Sequence, residues 1–193
     1  MPATAAPTTI TIRRLMAPSP AELAALTDVL IDCVEGGASV SFMLPLSRER
    51  ALAFWQRVAD GVVRQERALL VAEDEAGIVG TVQLVFDLPE NQPHRADLAK
   101  MLVHRRGRWR GLGEALMRAA EQLGRDSGKS LLVLDTVTGG DAERLYARLG
   151  WQKSGVIPNY ALWPQGGFCD TTYFYKALWP PLRWLRTVRR NGE

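Results

Sequence analysis

Residues 8–15 alternate, with Ile10 and Ile12 set against Thr9, Thr11 and Arg13, the period of a strand with one buried face. The period changes at Ser19-Pro20-Ala21-Glu22, which has the serine and glutamate of a capping box and a proline at the first helical position. Leu23, Leu26, Leu30 and Cys33 then recur at helical spacing, and Gly36-Gly37 ends the run. After a loop over 38–45, Ser47 opens a second helix with Leu52, Trp55, Ala59 and Val62 on its apolar face. Residues 68–72 and 78–86 predict a hairpin around an acidic turn ending at Gly77. Residues 87–95, with Pro89 and Pro93, predict a loop, and 98–103 a strand. From Gly111 to about Arg125 a helix places Leu112, Ala115, Leu116, Ala119, Ala120 and Leu123 on one face. The apolar run 131–134 predicts a strand buried on both faces, and 141–149 a short helix closed by Gly150. Residues 153–162 and 169–176 predict a final pair of strands, with 164–167 turning between them.

The order is strand, two helices, three strands, helix, strand, helix, two strands. It predicts a single α/β domain with a mixed central sheet of about seven strands flanked by about four helices. The central hairpin argues against a fully parallel, doubly wound sheet. Residues 1–7 are expected to be a disordered lead, 8–177 the domain, and 178–193 a basic, aromatic tail. At 193 residues, 47% hydrophobic and 23% charged, the chain has the size and balance of one soluble domain. No apolar run is long enough to cross a bilayer, and the N-terminus lacks the pattern of a secretory signal, so a cytoplasmic location is expected. Cys33 and Cys169 stand far apart, which suits buried, reduced thiols.

The net charge of +3 belongs to the tail, where Arg183, Arg186, Arg189 and Arg190 face Glu193 alone. The body is balanced, so no nucleic-acid partner is expected. Trp179, Trp184 and Leu185 among those arginines suit docking on the domain, a partner subunit or an anionic surface, but also a frayed terminus without stable membrane association. His94 and His104 have no partner at metal-ligand spacing, so no metal is expected.

The chemistry concentrates in Arg108-Trp109-Arg110-Gly111-Leu112-Gly113, between the strand at 98–103 and the helix behind it. Free N–H groups and the helix dipole favour an oxyanion at such a helix start, and glycines let it approach. Arg105, Arg106, Arg108 and Arg110 would add charged donors, and His104 could join them at a phosphate or belong to a solvated loop. A plain strand–loop–helix turn has the same local look. A nicotinamide site is a rival, since Asp135 ends the next strand at roughly the fingerprint's acidic spacing. Against it, Leu116 fills the third glycine position and the loop begins well after the strand.

The same loop, read as Arg-x-x-Gly-x-Gly, resembles that of the GCN5-related N-acetyltransferase family over residues 8–177. The second likeness is Leu145-Tyr146-Ala147-Arg148-Leu149-Gly150-Trp151, a short helix with a tyrosine followed by Gly-aromatic. Residues 36–43, Leu134-Asp135-Thr136 and Tyr173-Phe174-Tyr175-Lys176 are similar to stretches of the family's tabtoxin-resistance branch. Departures are Trp109, where many members have glycine, and Gly139-Gly140, where many have asparagine.

The resemblance implies acetyl-CoA as cosubstrate and a small-molecule amine, amino-acid-like, as acceptor. Backbone groups of Arg108, Trp109, Arg110, Gly111, Leu112, Gly113 and Glu114 would hold the pyrophosphate. The strand edge at Met101, Leu102 and Val103 would pair with the pantetheine amides. Tyr146 would be the general acid, or else a tyrosine packed in the core. Asp97 and Asp135 are candidate bases, or strand-end carboxylates bonded to backbone or arginine. Ser39, Val40, Phe42 and Tyr160 would frame the acceptor pocket. Oligomers are frequent in the family, so a homodimer is expected. A non-catalytic CoA-binding sensor or interaction module is the alternative function.

Overall fold

The computed structural model describes residues 10–178. The expected lead, 1–7, and the tail beyond Leu178 lie outside the described residues. The chain runs β1 (Thr11–Leu15), α1 (Pro20–Glu35), α2 (Arg48–Val63), β2 (Arg67–Asp74), β3 (Gly77–Val85) and β4 (Arg95–Val103). A 3-10 turn (Arg105–Gly107) leads to α3 (Leu112–Asp126), β5 (Leu131–Val137), α4 (Asp141–Arg148), β6 (Gln152–Leu162) and β7 (Phe168–Ala177). The helix start at Ser19 is the expected capping box. Its Oγ accepts from the Glu22 amide at 3.3 Å, while its own amide donates to Glu22 Oε2 at 2.6 Å.

The seven strands form one mixed sheet in the order β1-β2-β3-β4-β5-β7-β6, antiparallel except where β4 meets β5. Helices α1 and α2 cover one face through Leu26, Leu30, Trp55 and Val58 against Leu69, Val71, Ile78 and Leu102. Helices α3 and α4 cover the other through Leu112, Leu116, Met117 and Tyr146 against Leu70, Val79, Leu84, Leu132 and Phe174. The expected α/β domain with a mixed seven-stranded sheet and four helices is the architecture found.

Irregularities at the middle of the sheet build the site. The parallel ladder between β4 and β5 covers only Arg95↔Leu131 to Asp97↔Val133, although β4 continues to Val103 and β5 to Val137. Beyond Asp97 the facing edges are unpaired, and a slot opens between them. The β3–β4 register slips by one residue between Thr81/Gln83 and Leu102/Ala99, and Lys100 within that bulge has φ +50°.

Strand β5 differs from its expected form. It runs on to Val137, so Asp135 lies inside the strand rather than at its end. Leu132 and Leu134 are buried, but Leu131 and Val133 are only half so, and the strand is not covered on both faces. The α1–α2 layer packs over β2 to β4 and leaves that side of β5 open.

Candidate active site

The loop between β4 and α3 is pinned before it reaches the helix. Gly107 is buried, and a Cβ there would stand 2.4 Å from Val79 Cγ2 and 2.8 Å from Leu112 Cδ1, so only glycine lets the turn lie on the sheet. The expected cluster of charged donors is largely committed to the protein itself. Arg105 bonds Asp32 through its side chain, and its amide donates to the same carboxylate at 2.8 Å. Arg106 bonds both oxygens of Asp74 at 2.7 and 2.8 Å, and Arg110 reaches Asp74 at 3.0 Å. The Asp74 side chain is 5% exposed, and these guanidinium bonds, Arg106 first, hold its pKa down at about 2. His104 caps the 3-10 turn, its Nδ1 accepting from the Arg106 amide at 3.1 Å.

Trp109 has φ +64° and is 90% exposed, so its ring points into solvent, away from the loop's concave side. Gly111, the N-cap of α3, has φ +75° and offers no capping side chain. No backbone N–H from Trp109 to Glu114 donates to a protein acceptor among the described residues, whereas the Arg108 amide is used by the 3-10 turn at 3.3 Å. Arg110 Nη2 is buried and unpartnered. This run of free N–H groups and an orphaned guanidinium nitrogen fit a pyrophosphate. Gly113 also has a packing role. A Cβ there would meet Leu145 Cδ2 at 3.0 Å, so its missing side chain lets α3 approach α4.

Beside that loop lies the unpaired edge of β4 at Met101, Leu102 and Val103. Leu102 is in the core, and the Val103 carbonyl accepts from Arg108 Nε at 3.4 Å and Cys33 Sγ at 3.5 Å. On α4, Tyr146 is 4% exposed and packs against Trp151 and Phe174, with centroids 6.1 and 6.0 Å away. Its hydroxyl makes no hydrogen bond among the described residues, yet it is not sealed from water. Burial, then the field of Asp135, raises the phenol's pKa well above its ordinary value, so it keeps its proton at neutral pH.

The other side of the slot gathers residues from distant segments. Asp97 bonds Arg95. Asp135 is reached by water, but the protein around it raises its carboxyl pKa, with Lys100 and a Thr171 hydrogen bond opposing. Lys100 Nζ bonds Ser41 Oγ at 3.2 Å and stands 5.8 Å over the Phe54 ring, with its pKa lowered by burial. Tyr160 and Tyr173 share a hydroxyl–hydroxyl bond of 2.8 Å, which first, with burial, pushes Tyr173 up to about 12. Ser39 Oγ donates to the Leu162 carbonyl at 2.7 Å and clamps its loop to β6. Val40 and Phe42 pack on the α1–α2 core, Phe42 edge-on to Phe54 at 5.3 Å. Of the expected acceptor-framing residues, Tyr160 thus bonds Tyr173, the strand partner of Asp135, while Ser39 joins the far end of β6 and Val40 and Phe42 join the α1–α2 core.

The first comparison decides the family. The model of the acetyltransferase (GNAT) family matches residues 36–151, more than half of the chain. The chain belongs to the GNAT acetyltransferase family. Human N-acetyltransferase 8B is 40% identical over 87 residues, 44% of this chain and 38% of that protein, so the chain spans well under half of that relative's length. Two solved structures share the fold of this GNAT domain. YncA of Salmonella typhimurium, solved with acetyl-CoA, has TM-score 0.71 and 21% identity over 88% of this chain and 94% of its own. The ribosomal-protein-alanine N-acetyltransferase of Brucella melitensis has TM-score 0.73 and 22% identity over 86% and 99%.

Acetyl-CoA is the family's acetyl donor, and the GNAT loop described above fits it. Lys100, Gly107, Asp32 and Asp74 were not singled out from the sequence. A lysine inside a strand reads as a solvent-facing residue, Asp32 lies 73 residues from Arg105, and Asp74 lies 32 and 36 residues from Arg106 and Arg110. Gly107 alone had a local signal, as a glycine amid arginines. No helix among the described residues is long and apolar enough to cross a membrane, and no metal-binding cluster is found among them.

Proposed function

We propose that this protein transfers an acetyl group from acetyl-CoA to the primary amine of a small, amino-acid-like molecule, as in the tabtoxin-resistance branch of the family. The observation that carries this reading is the run of free N–H groups from Trp109 to Glu114 beside an unpaired β4 edge, with Tyr146 across the slot. Acetyl-CoA, when bound, supplies the acetyl group as a thioester. The N–H groups and Arg110 Nη2 hold its pyrophosphate, and the edge of Met101 to Val103 holds its pantetheine amides. Asp97 and Asp135 draw in the acceptor's ammonium, and the raised pKa of Asp135 makes it a stronger base than an ordinary carboxylate. Tyr146, protonated and free of protein partners, gives its proton to the departing sulfur.

The same reading places the protein in the cytoplasm. The exposed apolar side chains Val156, Ile157, Leu162 and Phe168 on β6 and β7 support a homodimer. Thermal unfolding with and without acetyl-CoA, with NADH as control, tests the core of the proposal. A ligand that binds only the folded state raises the melting temperature. A rise with acetyl-CoA alone is expected; no rise at saturation sinks the proposal.

A further inference from the structure

On the α1–α2 side of the slot, Lys100 and Asp135 lie within each other's field, yet no ion pair joins them. Lys100 is instead held away by Ser41 Oγ at 3.2 Å and by the face of Phe54. Both ends of the Lys100–Ser41 bond carry strain, since Lys100 has φ +50° and Ser41 φ +76°. Non-glycine residues persist in that conformation only where the surroundings impose it, commonly at ligand sites. Lys100 and Asp135 therefore stand near each other without a salt bridge.

The region behind Lys100 has a consistent polarity. Gln83 pairs across the sheet with Ala99, the residue before Lys100, and Trp55 follows Phe54 on α2. Trp55 Nε1, Arg67 Nε and Gln83 Nε2 are buried without partners, and every one is a donor. Gln83's acceptor oxygen is already taken by Arg67 Nη1 at 3.2 Å. Buried donors with nothing to bond favour an oxyanion nearby.

We propose that Lys100 and Ser41, backed by Arg67, Gln83 and Trp55, form the subsite for an acceptor carboxylate, so that the substrate is a free zwitterionic amino acid. This rests on the acetyltransferase reading and deepens it. The ammonium goes to Asp135 and Asp97 and the carboxylate to Lys100, which bridges the charges that the fold holds apart. A peptide N-terminus or a simple amine supplies only the first half of that contact.

The test is calorimetric titration of the CoA-saturated protein with the twenty free amino acids and with their decarboxylated amines, such as leucine against isoamylamine. At least one acid should bind ten times or more tighter than its amine. Lys100→Met should erase that preference and Lys100→Arg retain part of it, with a melting-temperature rise on adding acetyl-CoA showing that each variant is folded. The subsite is overturned if no acid outbinds its amine, or if Lys100→Met keeps the ratio. Acetyl transfer, assayed separately, distinguishes the two readings. Equal transfer to acids and amines leaves the acetyltransferase standing and removes the subsite. Lys100-dependent binding of an acid with no transfer to any amine does the reverse.

Discussion

The two ends of the slot are built from different materials. At the donor end, Gly107, Gly111 and the N–H groups from Trp109 to Glu114 act through the backbone, and the side chains around them mostly tie the loop down. At the proposed acceptor end, Asp97, Lys100, Asp135, Ser41, Tyr160 and Tyr173 offer side chains from β4, β5, β6, β7 and the loop after α1. A cosubstrate common to a whole family can be held by atoms that every residue possesses. An acceptor that varies must be recognised by side chains, which are free to change.

The contrast predicts that donor-end variants affect every acceptor alike, while acceptor-end variants act selectively. Tyr146→Phe should show the largest effect, a loss of about 100-fold or more in kcat with every acceptor. Because the hydroxyl has no protein partner, the melting temperature should hardly move. A large loss of stability with little loss of rate would make Tyr146 a core residue. Next comes Gly107→Ala, whose methyl collides with Val79 and Leu112. It should cost about 1–3 kcal/mol by denaturant unfolding and weaken the thermal response to acetyl-CoA. If only stability falls, the loop's position does not govern cosubstrate binding.

Asp135→Asn should act at the acceptor end alone. The raised carboxyl pKa means that the working carboxylate is lost as pH falls through that raised value, giving an acid limb in kcat/KM. The variant should lower kcat/KM and remove that limb without changing the response to acetyl-CoA. A limb that survives the substitution belongs to another group. The smallest effect is expected from Trp109→Gly. Its φ of +64° disfavours tryptophan and its exposed ring packs on nothing, so glycine should stabilise by about 1 kcal/mol.

How far the sequence could be read follows the same division. Gly111-x-Gly113 and Tyr146 with Gly150-Trp151 are each local in the sequence, so the family resemblance could be read from them, and the sheet around them from periodicity. Even there the ion pairs of Arg105, Arg106 and Arg110 with Asp32 and Asp74, and the contact of Gly113 with Leu145, were not legible, because those partners reach them only through the fold. For the acceptor end the sequence offered Asp97 and Asp135, and the family resemblance offered Ser39, Val40, Phe42 and Tyr160. Lys100 escaped because a one-residue bulge, invisible in an otherwise regular strand, aims its side chain. The end of β5 was set too early because Asp-Thr-Val breaks the apolar run, though the strand continues beside β7.

The short parallel ladder has a mechanical meaning as well. β1 to β4 and β5 to β7 are each zipped by long antiparallel ladders, but only Arg95↔Leu131 to Asp97↔Val133 stitches one group to the other. What binds them is the apolar core under α3, where Leu116, Met117 and Ala120 share a cluster with residues of both. Local opening at this seam gives up few hydrogen bonds. Native-state hydrogen exchange should therefore find a soft line down the middle of an otherwise slow-exchanging sheet, along which the protein can flex without unfolding.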